Sequence, residues 1–378
     1  MWWWCGRRGE LNFIPYQFLK IEILSLNIFN LLDKNFFLMV INRSEKEGKL
    51  RRELSLNCSG KIIGENKIGI LKEKHYYVKN YDLDGDAPKQ FIKAYIFRAD
   101  SGIRRLSKNS WPGFIAKTAE KWYPHESVIE YMINRIGQHL CLNMNEVYLV
   151  KANSQIRFLS KYFLDKNENL IHGAEICGDH LGDMQFAKEI AEHKKNSRDL
   201  FTFEFIKDAI RSVFPDTFEI ITGNLVKMLA FDAIVGNNDR HFYNWGVIGT
   251  KMKTSKLPEF APIYDSARGL LWNRSDENIK SLWRNHLEGN NKVQKYINEA
   301  CPRISIEDNK QANHFELMDF LKRYSLDYTS IIGKLSSVEN EKKVMRMLKK
   351  EFYPLFIYER YELITLILEK RFKIIREI

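Results

Sequence analysis

Residues 236–246 read Gly-Asn-Asn-Asp-Arg-His-Phe-Tyr-Asn-Trp-Gly and form a polar segment between apolar ones. Asp239 and Asn244 lie in this segment, and Asp265 follows in Ala-Pro-Ile-Tyr-Asp-Ser at residues 261–266. Phosphoryl transfer to a hydroxyl requires one carboxylate that orients the hydroxyl, and further oxygen ligands that hold Mg²⁺ against the nucleotide phosphates. The pattern therefore predicts Asp239 as the catalytic residue, Asn244 and Asp265 as metal ligands, and ATP with Mg²⁺ as cofactors.

The segments around the loop predict the fold class. Phe218–Ile234 is rich in Leu, Met, Ala and Ile, which is typical of a buried helix, and it ends just before Gly236. Upstream, short runs rich in β-branched and aromatic residues surround one amphipathic helix, His125–Leu140. This order predicts an α+β, two-lobed, protein-kinase-like fold. Its expected parts are an N-terminal extension and linker at 1–57, a β-rich lobe at 58–165 and a helical lobe with the catalytic loop at 166–378.

Lys117 and Glu130 are predicted to bind the nucleotide together. Lys117 ends the run Phe-Ile-Ala-Lys after the turn Pro112-Gly113, where an ammonium can reach the α and β phosphates. Glu130 lies on the helix that follows and is expected to pair with this lysine, as in kinases. Lys93, in Phe-Ile-Lys-Ala, is the competing lysine, but it precedes the candidate phosphate loop.

The loop that covers the phosphates is the weakest element, because the sequence contains no Gly-x-Gly-x-x-Gly. The best candidate is Ser-Gly-Ile-Arg-Arg at residues 101–105, in which Gly102 allows a turn and the arginines can touch phosphate. A plain hairpin explains the same residues equally well. His241 is predicted either to stabilise the transferred charge or to order the catalytic loop through a backbone hydrogen bond.

The net charge and the cysteine spacing indicate which kinds of partner and which cellular compartment to expect. Lys and Arg outnumber Asp and Glu by 59 to 48, so the net charge of +11 favours anionic partners without choosing among them. The five cysteines are widely spaced and include no Cys-x-x-Cys, which argues against a zinc site or a disulfide framework and favours a cytoplasmic location. Nucleic acid is not expected as a direct ligand.

The N-terminal 41 residues are apolar but interrupted by charge. Their longest uncharged run, Ile23–Leu32, is too short for the roughly 20 residues that a spanning helix needs, so no membrane span is expected. No signal-peptide core is evident either. Three interpretations stay open: a non-native extension with translation beginning at Met39, a loosely attached helix, and a membrane or partner anchor.

The quoted residues resemble those of the HipA-like kinases, a bacterial family that includes toxins of toxin–antitoxin pairs. The family's Asn-x-Asp-x-His-x-x-Asn corresponds here to residues 237–244, and its Pro-x-Tyr/Phe-Asp to residues 262–265. The resemblance extends over roughly residues 90–275. It implies an ATP- and Mg²⁺-dependent Ser/Thr protein kinase, with self-phosphorylation and an antitoxin-like partner as further candidates. It also places the hinge at residues 159–163 and thereby implies nucleotide contacts from Lys161 and Phe163.

Two other functions remain open from the sequence. Asp-Arg-His-x-x-Asn also occurs in phosphatidylinositol kinases, where an Asp-Phe-Gly follows, whereas here Ser266-Ala267 follow Asp265. This difference favours a protein acceptor, although a lipid or small-molecule kinase of related fold stays an alternative. A nucleotide-binding scaffold without turnover is the third reading, against which the intact set of Asp239, Asn244 and Asp265 argues.

Overall fold

A six-stranded sheet forms the first part of the fold. The structure, a computed structural model, describes residues 48–81, 89–96, 107–250 and 256–378. Its strands are β2 (Gly69–Ile70), β3 (Tyr76–Lys79), β4 (Lys89–Ala94), β5 (Gly113–Lys117), β7 (Val147–Ala152) and β8 (Gln155–Lys161). Their order in the sheet is β2-β7-β8-β5-β4-β3, and of the neighbouring pairs in this sheet only β2–β7 is parallel.

Strand β5 sits in the interior of this sheet and has two different faces. Phe114 and Ala116 are buried in a small apolar cluster that includes Leu50 and Ile92. Because side chains alternate along a strand, Lys117 points to the opposite face. There it meets helix α1 (His125–His139), whose residues Val128, Ile129, Met132, Ile133 and Ile136 are fully buried. The sequence thus places a charged residue where the sheet and this helix meet.

The described residues just before the sheet are packed against it. Leu50 is fully buried, and the backbone NH of Glu53 donates to Gln155 Oε1 at 2.9 Å. Further along, β1 (Asn57–Cys58) pairs in parallel with β6 (Trp122–Tyr123). The extension and linker at 1–57 stays a prediction, and its residues 1–47 lie outside the described ones.

The remainder of the described chain is largely helical. The helices are α2 (Gly173–Leu181), α3 (Met184–Glu192), α4 (Lys194–Leu200), α5 (Phe203–Val213), α6 (Phe218–Val235), α7 (Asp276–Leu287), α8 (Lys292–Glu299), α9 (His314–Tyr324), α10 (Leu326–Leu335), α11 (Val338–Glu351) and α12 (Tyr358–Glu377). Of these, α6 is the central one, packed against α5, α9, α10 and α12. None of the helices within the described ranges is both long enough and apolar enough to cross a bilayer.

Helix α1 is tied to the helical part of the chain by an ion pair. Arg135 and Glu351, the last residue of α11, form a bidentate pair with Nε–Oε2 2.9 Å and Nη2–Oε1 2.8 Å. Two parallel charge-assisted hydrogen bonds fix orientation as well as distance. The helix that carries Glu130 is therefore held by both the sheet and the C-terminal helices.

A small second sheet lies beside the central helix. It contains β9 (Glu168–His172), β10 (Gly246–Thr250) and β11 (Glu259–Phe260) in the order β11-β10-β9, with both pairs antiparallel. The sequence analysis did not predict this sheet. Its strands are short, and the paired residues His172 and Gly246 are 74 positions apart in sequence. No local sequence pattern therefore predicts that β9 and β10 pair.

Candidate active site

The predicted catalytic loop, residues 236–246, begins where α6 ends. Gly236 adopts the left-handed conformation with φ of +64°, and its NH bonds to the carbonyl of Asp232. A side chain there would be strained and would approach the Arg371 guanidinium, so glycine allows the helix to stop and the chain to turn. At the other end of the loop, a Cβ on Gly246 would lie 2.4 Å from the carbonyl oxygen of Ile171. Two glycines thus fix where the loop starts and where β10 begins.

A buried ion pair organises the loop. Arg240 and Asp232 are both fully buried and joined by Nε–Oδ2 at 2.8 Å and Nη2–Oδ1 at 2.9 Å. Arg240 also donates to the carbonyls of Asn244 at 2.9 Å and Tyr264 at 2.6 Å. Burial lowers the pKa of Arg240, but the Asp232 carboxylate outweighs it, so the guanidinium stays charged. Arg240 therefore connects the loop to the segment that carries Asp265.

Asn237 links the buried ion pair to the backbone of Asp239. Its Nδ2 donates to Asp232 Oδ1 at 2.9 Å, and its Oδ1 accepts the backbone NH of Asp239 at 3.2 Å. His314 Nε2 bonds to the carbonyl of Asn237 at 3.0 Å. A buried side chain with all these partners is the expected arrangement for a residue that positions its neighbour. Sequence analysis missed Asp232 and His314, because both appear as ordinary members of helices.

Lys117, Glu130 and Asp265 come together although they are distant in sequence. Lys117 Nζ lies 3.1 Å from Glu130 Oε1 and 2.7 Å from Asp265 Oδ1. Burial lowers the pKa of Lys117, but the carboxylates of Asp265 and Glu130 outweigh burial and raise it, so the amine is protonated. Burial also raises the pKa of Glu130, to about 7, against the opposing charge of Lys117. One ammonium is thus shared by two carboxylates from different parts of the chain.

Asp265 is held in an uncommon backbone conformation at the edge of the cleft. Its φ is +53°, and its side chain is 41 % exposed. Desolvation would raise the pKa of this carboxyl, but the Lys117 ammonium holds it below its ordinary range. The apolar run before Asp265 is typical of a strand that presents a carboxylate at its end. Instead, Ile263 forms only a single bridge with Met144, and Tyr264 leads into the left-handed residue. Left-handed non-glycine residues are concentrated at functional sites.

Asn244 lies beside the catalytic loop backbone. Its Nδ2 donates to the carbonyl of Asp239 at 2.9 Å, and its side chain is largely buried. Within the described ranges its amide oxygen accepts no hydrogen bond, so the lone pairs of this oxygen are available to bind a cation. Asn244 and Asp265 offer the hard oxygen ligands that Mg²⁺ prefers. The residues present therefore fit the predicted ion.

Asp239 is paired with two arginines that the sequence analysis did not identify. Its Oδ1 lies 2.8 Å from Arg303 Nη2, and its Oδ2 lies 3.0 Å from Arg268 Nε. The carboxylate itself is only 16 % exposed. Arg303 follows Asp239 by 64 residues and comes from the loop after α8, so only tertiary structure brings it here.

His241 belongs to the same loop as Asp239 and bonds to the loop backbone. Its Nδ1 accepts the backbone NH of Tyr243 at 3.2 Å, which matches the loop-ordering alternative in geometry. Burial lowers the pKa of His241, while Asp239 and Asp265 act in the opposite direction. A neutral imidazole with Nδ1 as acceptor carries its proton on Nε2 and can donate from there.

The remaining predicted residues differ in how the structure places them. Lys161 Nζ pairs with Glu146 Oε2 at 2.7 Å, and its backbone NH and carbonyl bond to residues 146 and 145, so a nucleotide contact from Lys161 stays a prediction. Phe163 packs against Tyr264, with ring centroids 5.7 Å apart, next to Asp265. Lys93, the competing lysine, donates to the carbonyl of Asn109 and not to Glu130.

Two predictions concern residues that the structure does not describe. Gly102 and the rest of the candidate phosphate loop at 101–105 lie outside the described residues. The alternatives for residues 1–41 lie outside them as well.

Comparison with a solved kinase structure agrees with this fold. The proinflammatory kinase CtkA of Helicobacter pylori superposes with a TM-score of 0.60 at 14 % identity, over 79 % of this chain and 94 % of that chain. HipA of Shewanella oneidensis MR-1, solved with HipB and operator DNA, gives a TM-score of 0.42 at 13 % identity, over 90 % of this chain and 70 % of that one. A search of curated proteins found no match.

The predicted fold class is confirmed: the chain has an α+β, protein-kinase-like fold. The family profile of the HipA-like C-terminal domain matches residues 82–318, which include Lys117, Glu130, the catalytic loop and Asp265. This match covers well over half of the 378 residues. The chain belongs to the family of proteins with a HipA-like C-terminal domain.

Proposed function

We propose that this protein transfers the γ-phosphoryl group of ATP to a Ser or Thr hydroxyl of a protein, with Mg²⁺ as cofactor. The observation that carries the proposal is the meeting of Lys117, Glu130 and Asp265 at 3.1 and 2.7 Å, next to a loop that presents Asp239 and Asn244. These residue types in this arrangement are what phosphoryl transfer uses for positioning and charge neutralisation. Membership in a family with kinase relatives supports the same chemistry.

Each residue has a separate role in the proposed reaction. Lys117 leaves Asp265 for the nucleotide phosphates while Glu130 keeps its ammonium oriented. Asp265 and Asn244 hold the metal ion, which supplies positive charge against the phosphates. Asp239 orients the acceptor hydroxyl and accepts its proton late in the transfer. Arg240 and Asp232 do not touch the substrate in this scheme; they keep Asp239, Asn244 and Asp265 at fixed separations.

We also propose a location and a macromolecular partner. We expect the protein to act in the cytoplasm on a protein substrate. An antitoxin-like partner rests on the family resemblance, and its test is co-purification of the chain with the product of an adjacent gene.

The proposed metal role predicts a strong effect of Asp265→Asn. The amide keeps the shape of the carboxylate but loses its charge, so Mg²⁺ should bind weakly and transfer should fall by roughly 100-fold or more. The measurement is transfer of labelled phosphate from ATP, titrated with Mg²⁺. The variant should require much more Mg²⁺ or show no saturation.

Asp319→Asn is the matched control for this substitution, because Asp319 lies on α9 and pairs with the exposed Arg323. It should retain the activity of the unmodified protein. Equal Mg²⁺ dependence in Asp265→Asn and the control would refute the metal role. A phosphoinositide panel assayed in parallel tests the lipid-kinase alternative, and labelling of lipid without labelling of any protein would replace the protein acceptor.

A further inference from the structure

Both carboxylate oxygens of Asp239 are occupied in this structure. Arg303 takes Oδ1 at 2.8 Å and Arg268 takes Oδ2 at 3.0 Å. A residue that orients a hydroxyl must have an oxygen within about 2.6–3.2 Å of it. Each oxygen keeps a second lone pair, but the side chain is only 16 % exposed, so a hydroxyl gains room to reach Asp239 when one arginine moves aside.

The two arginines are not equally free to move. The side chain of Arg268 is 34 % exposed and lies over the ring of Trp272, with its guanidinium carbon 5.1 Å from the centroid. Arg303 is 18 % exposed, and its Nε is buried. Arg268 is therefore the side chain that can swing away from Asp239, and Trp272 offers a surface along which it can do so.

The acceptor hydroxyl must approach the same two oxygens of Asp239 that the arginines now contact, at 2.8 Å from Arg303 and 3.0 Å from Arg268. Both guanidinium groups therefore lie where the acceptor would bind.

An in-line transfer places the acceptor on the side opposite the nucleotide. We propose that Arg268 and Arg303 form an acceptor-side anion site that selects a peptide hydroxyl flanked by an Asp or Glu side chain. This inference rests on the proposed kinase function and names the substrate class of the same site. The acidic side chain of the peptide takes Arg268 from Asp239 and thereby frees one oxygen for the hydroxyl.

The exchange predicts that a neutral peptide is a poorer substrate. Arg268 and Asp239 form an ion pair through one guanidinium nitrogen. An acidic peptide replaces this ion pair with an equivalent one, whereas a neutral peptide breaks it without replacement. We expect the loss of one arginine–carboxylate ion pair to correspond to a preference on the order of tenfold.

The test compares two Ser-containing peptides that differ only in Asp or Asn beside the serine. For the wild-type protein we expect kcat/KM to favour the Asp peptide by about tenfold, with the preference shrinking at high salt because part of the site is exposed. In Arg268→Gln the preference should fall to within about twofold. Arg284→Gln, on the exposed end of α7, is the matched control and should keep the wild-type preference.

The outcomes separate this inference from the proposed function. Equal kcat/KM for both peptides in the wild-type protein, or an unchanged preference in Arg268→Gln, overturns the anion site while leaving the kinase function intact. Absence of phosphate transfer to either peptide and to the protein itself overturns both. The salt titration uses the wild-type protein, so the inference can fail even if Arg268→Gln does not fold.

Discussion

Replacing Asp239 with Asn should reduce the rate of phosphate transfer by roughly 100- to 10,000-fold, the usual contribution of a positioned acid–base group. The amide keeps the size of the side chain but cannot accept the proton of the acceptor hydroxyl. Lys117, Glu130 and Asp265 do not contact the Asp239 side chain, so nucleotide binding should persist. Labelled-phosphate transfer and nucleotide affinity, measured on the same preparation, check the two parts of this expectation.

The control for this experiment is Asp208→Asn. Asp208 lies on α5, its side chain is 63 % exposed, and its ion pair with Arg211 is long at 3.9 Å. This variant should transfer phosphate at the wild-type rate. If Asp239→Asn kept more than about a tenth of the wild-type rate, the assignment of Asp239 would be wrong. Loss of both transfer and nucleotide binding would show that the substitution had disrupted the site as a whole.

Replacing Asp232 with Ala should be the most destabilising single substitution near the site. It leaves the Arg240 guanidinium fully buried without its carboxylate, and breaking a buried pair from one side typically costs about 3–5 kcal/mol. It also removes the acceptor of the Asn237 side chain. The free energy of unfolding from urea titration measures the cost, and phosphate transfer should be lost together with stability.

Asp319→Ala provides the comparison for that measurement. It removes the exposed pair with Arg323 on α9, and such pairs contribute about 0–1 kcal/mol. A cost for Asp232→Ala as small as that of Asp319→Ala would mean that the buried pair does not hold the catalytic loop. In that case the hydrogen bond from Tyr264 Oη to the carbonyl of Tyr243, at 2.9 Å, would be the contact that joins the loop to the segment of Asp265.

The parts of the site that could be predicted are those with a local sequence signature. Asp239 and Asn244 share one polar loop after an apolar helix, and Lys117 follows a turn at the end of a short strand. The pairing of Lys117 with Glu130 was predictable because Lys117 ends β5 and Glu130 lies on α1, only 13 residues later. These signals depend on residue types at short spacing, which a sequence displays directly.

The parts that could not be predicted depend on contacts between distant segments. Arg303 reaches Asp239 from 64 residues away, and nothing near it in sequence distinguishes it from a surface arginine. Asp232 appears as one polar residue in an apolar helix until its partner Arg240 is seen to be buried. The left-handed conformation of Asp265 was also hidden, since Ile-Tyr-Asp has the composition of a strand and only the bridge between Ile263 and Met144 shows otherwise.

In the overall fold, too, elements with a local sequence pattern were predicted and elements that depend on distant contacts were not. Amphipathic and apolar periodicity predicted α1 and α6, the two helices that carry Glu130 and deliver the catalytic loop. It did not predict the sheet of β9, β10 and β11, since pairing of short strands is decided by where α6 and the loop place the chain. The backbone NH groups of Arg51 and Glu53 bond to the side chains of Gln90 and Gln155, and the charged composition of this stretch does not show these contacts.

The most direct test of the central claim is phosphosite mapping by mass spectrometry. The protein is incubated with ATP and Mg²⁺, alone and with a mixture of protein substrates, and the Asp239→Asn variant is treated in the same way. We expect phosphate on Ser or Thr residues with the wild-type protein and almost none with the variant. Absence of phosphorylated residues with the wild-type protein, while ATP still binds, would contradict the account and favour a nucleotide-binding protein without transfer activity.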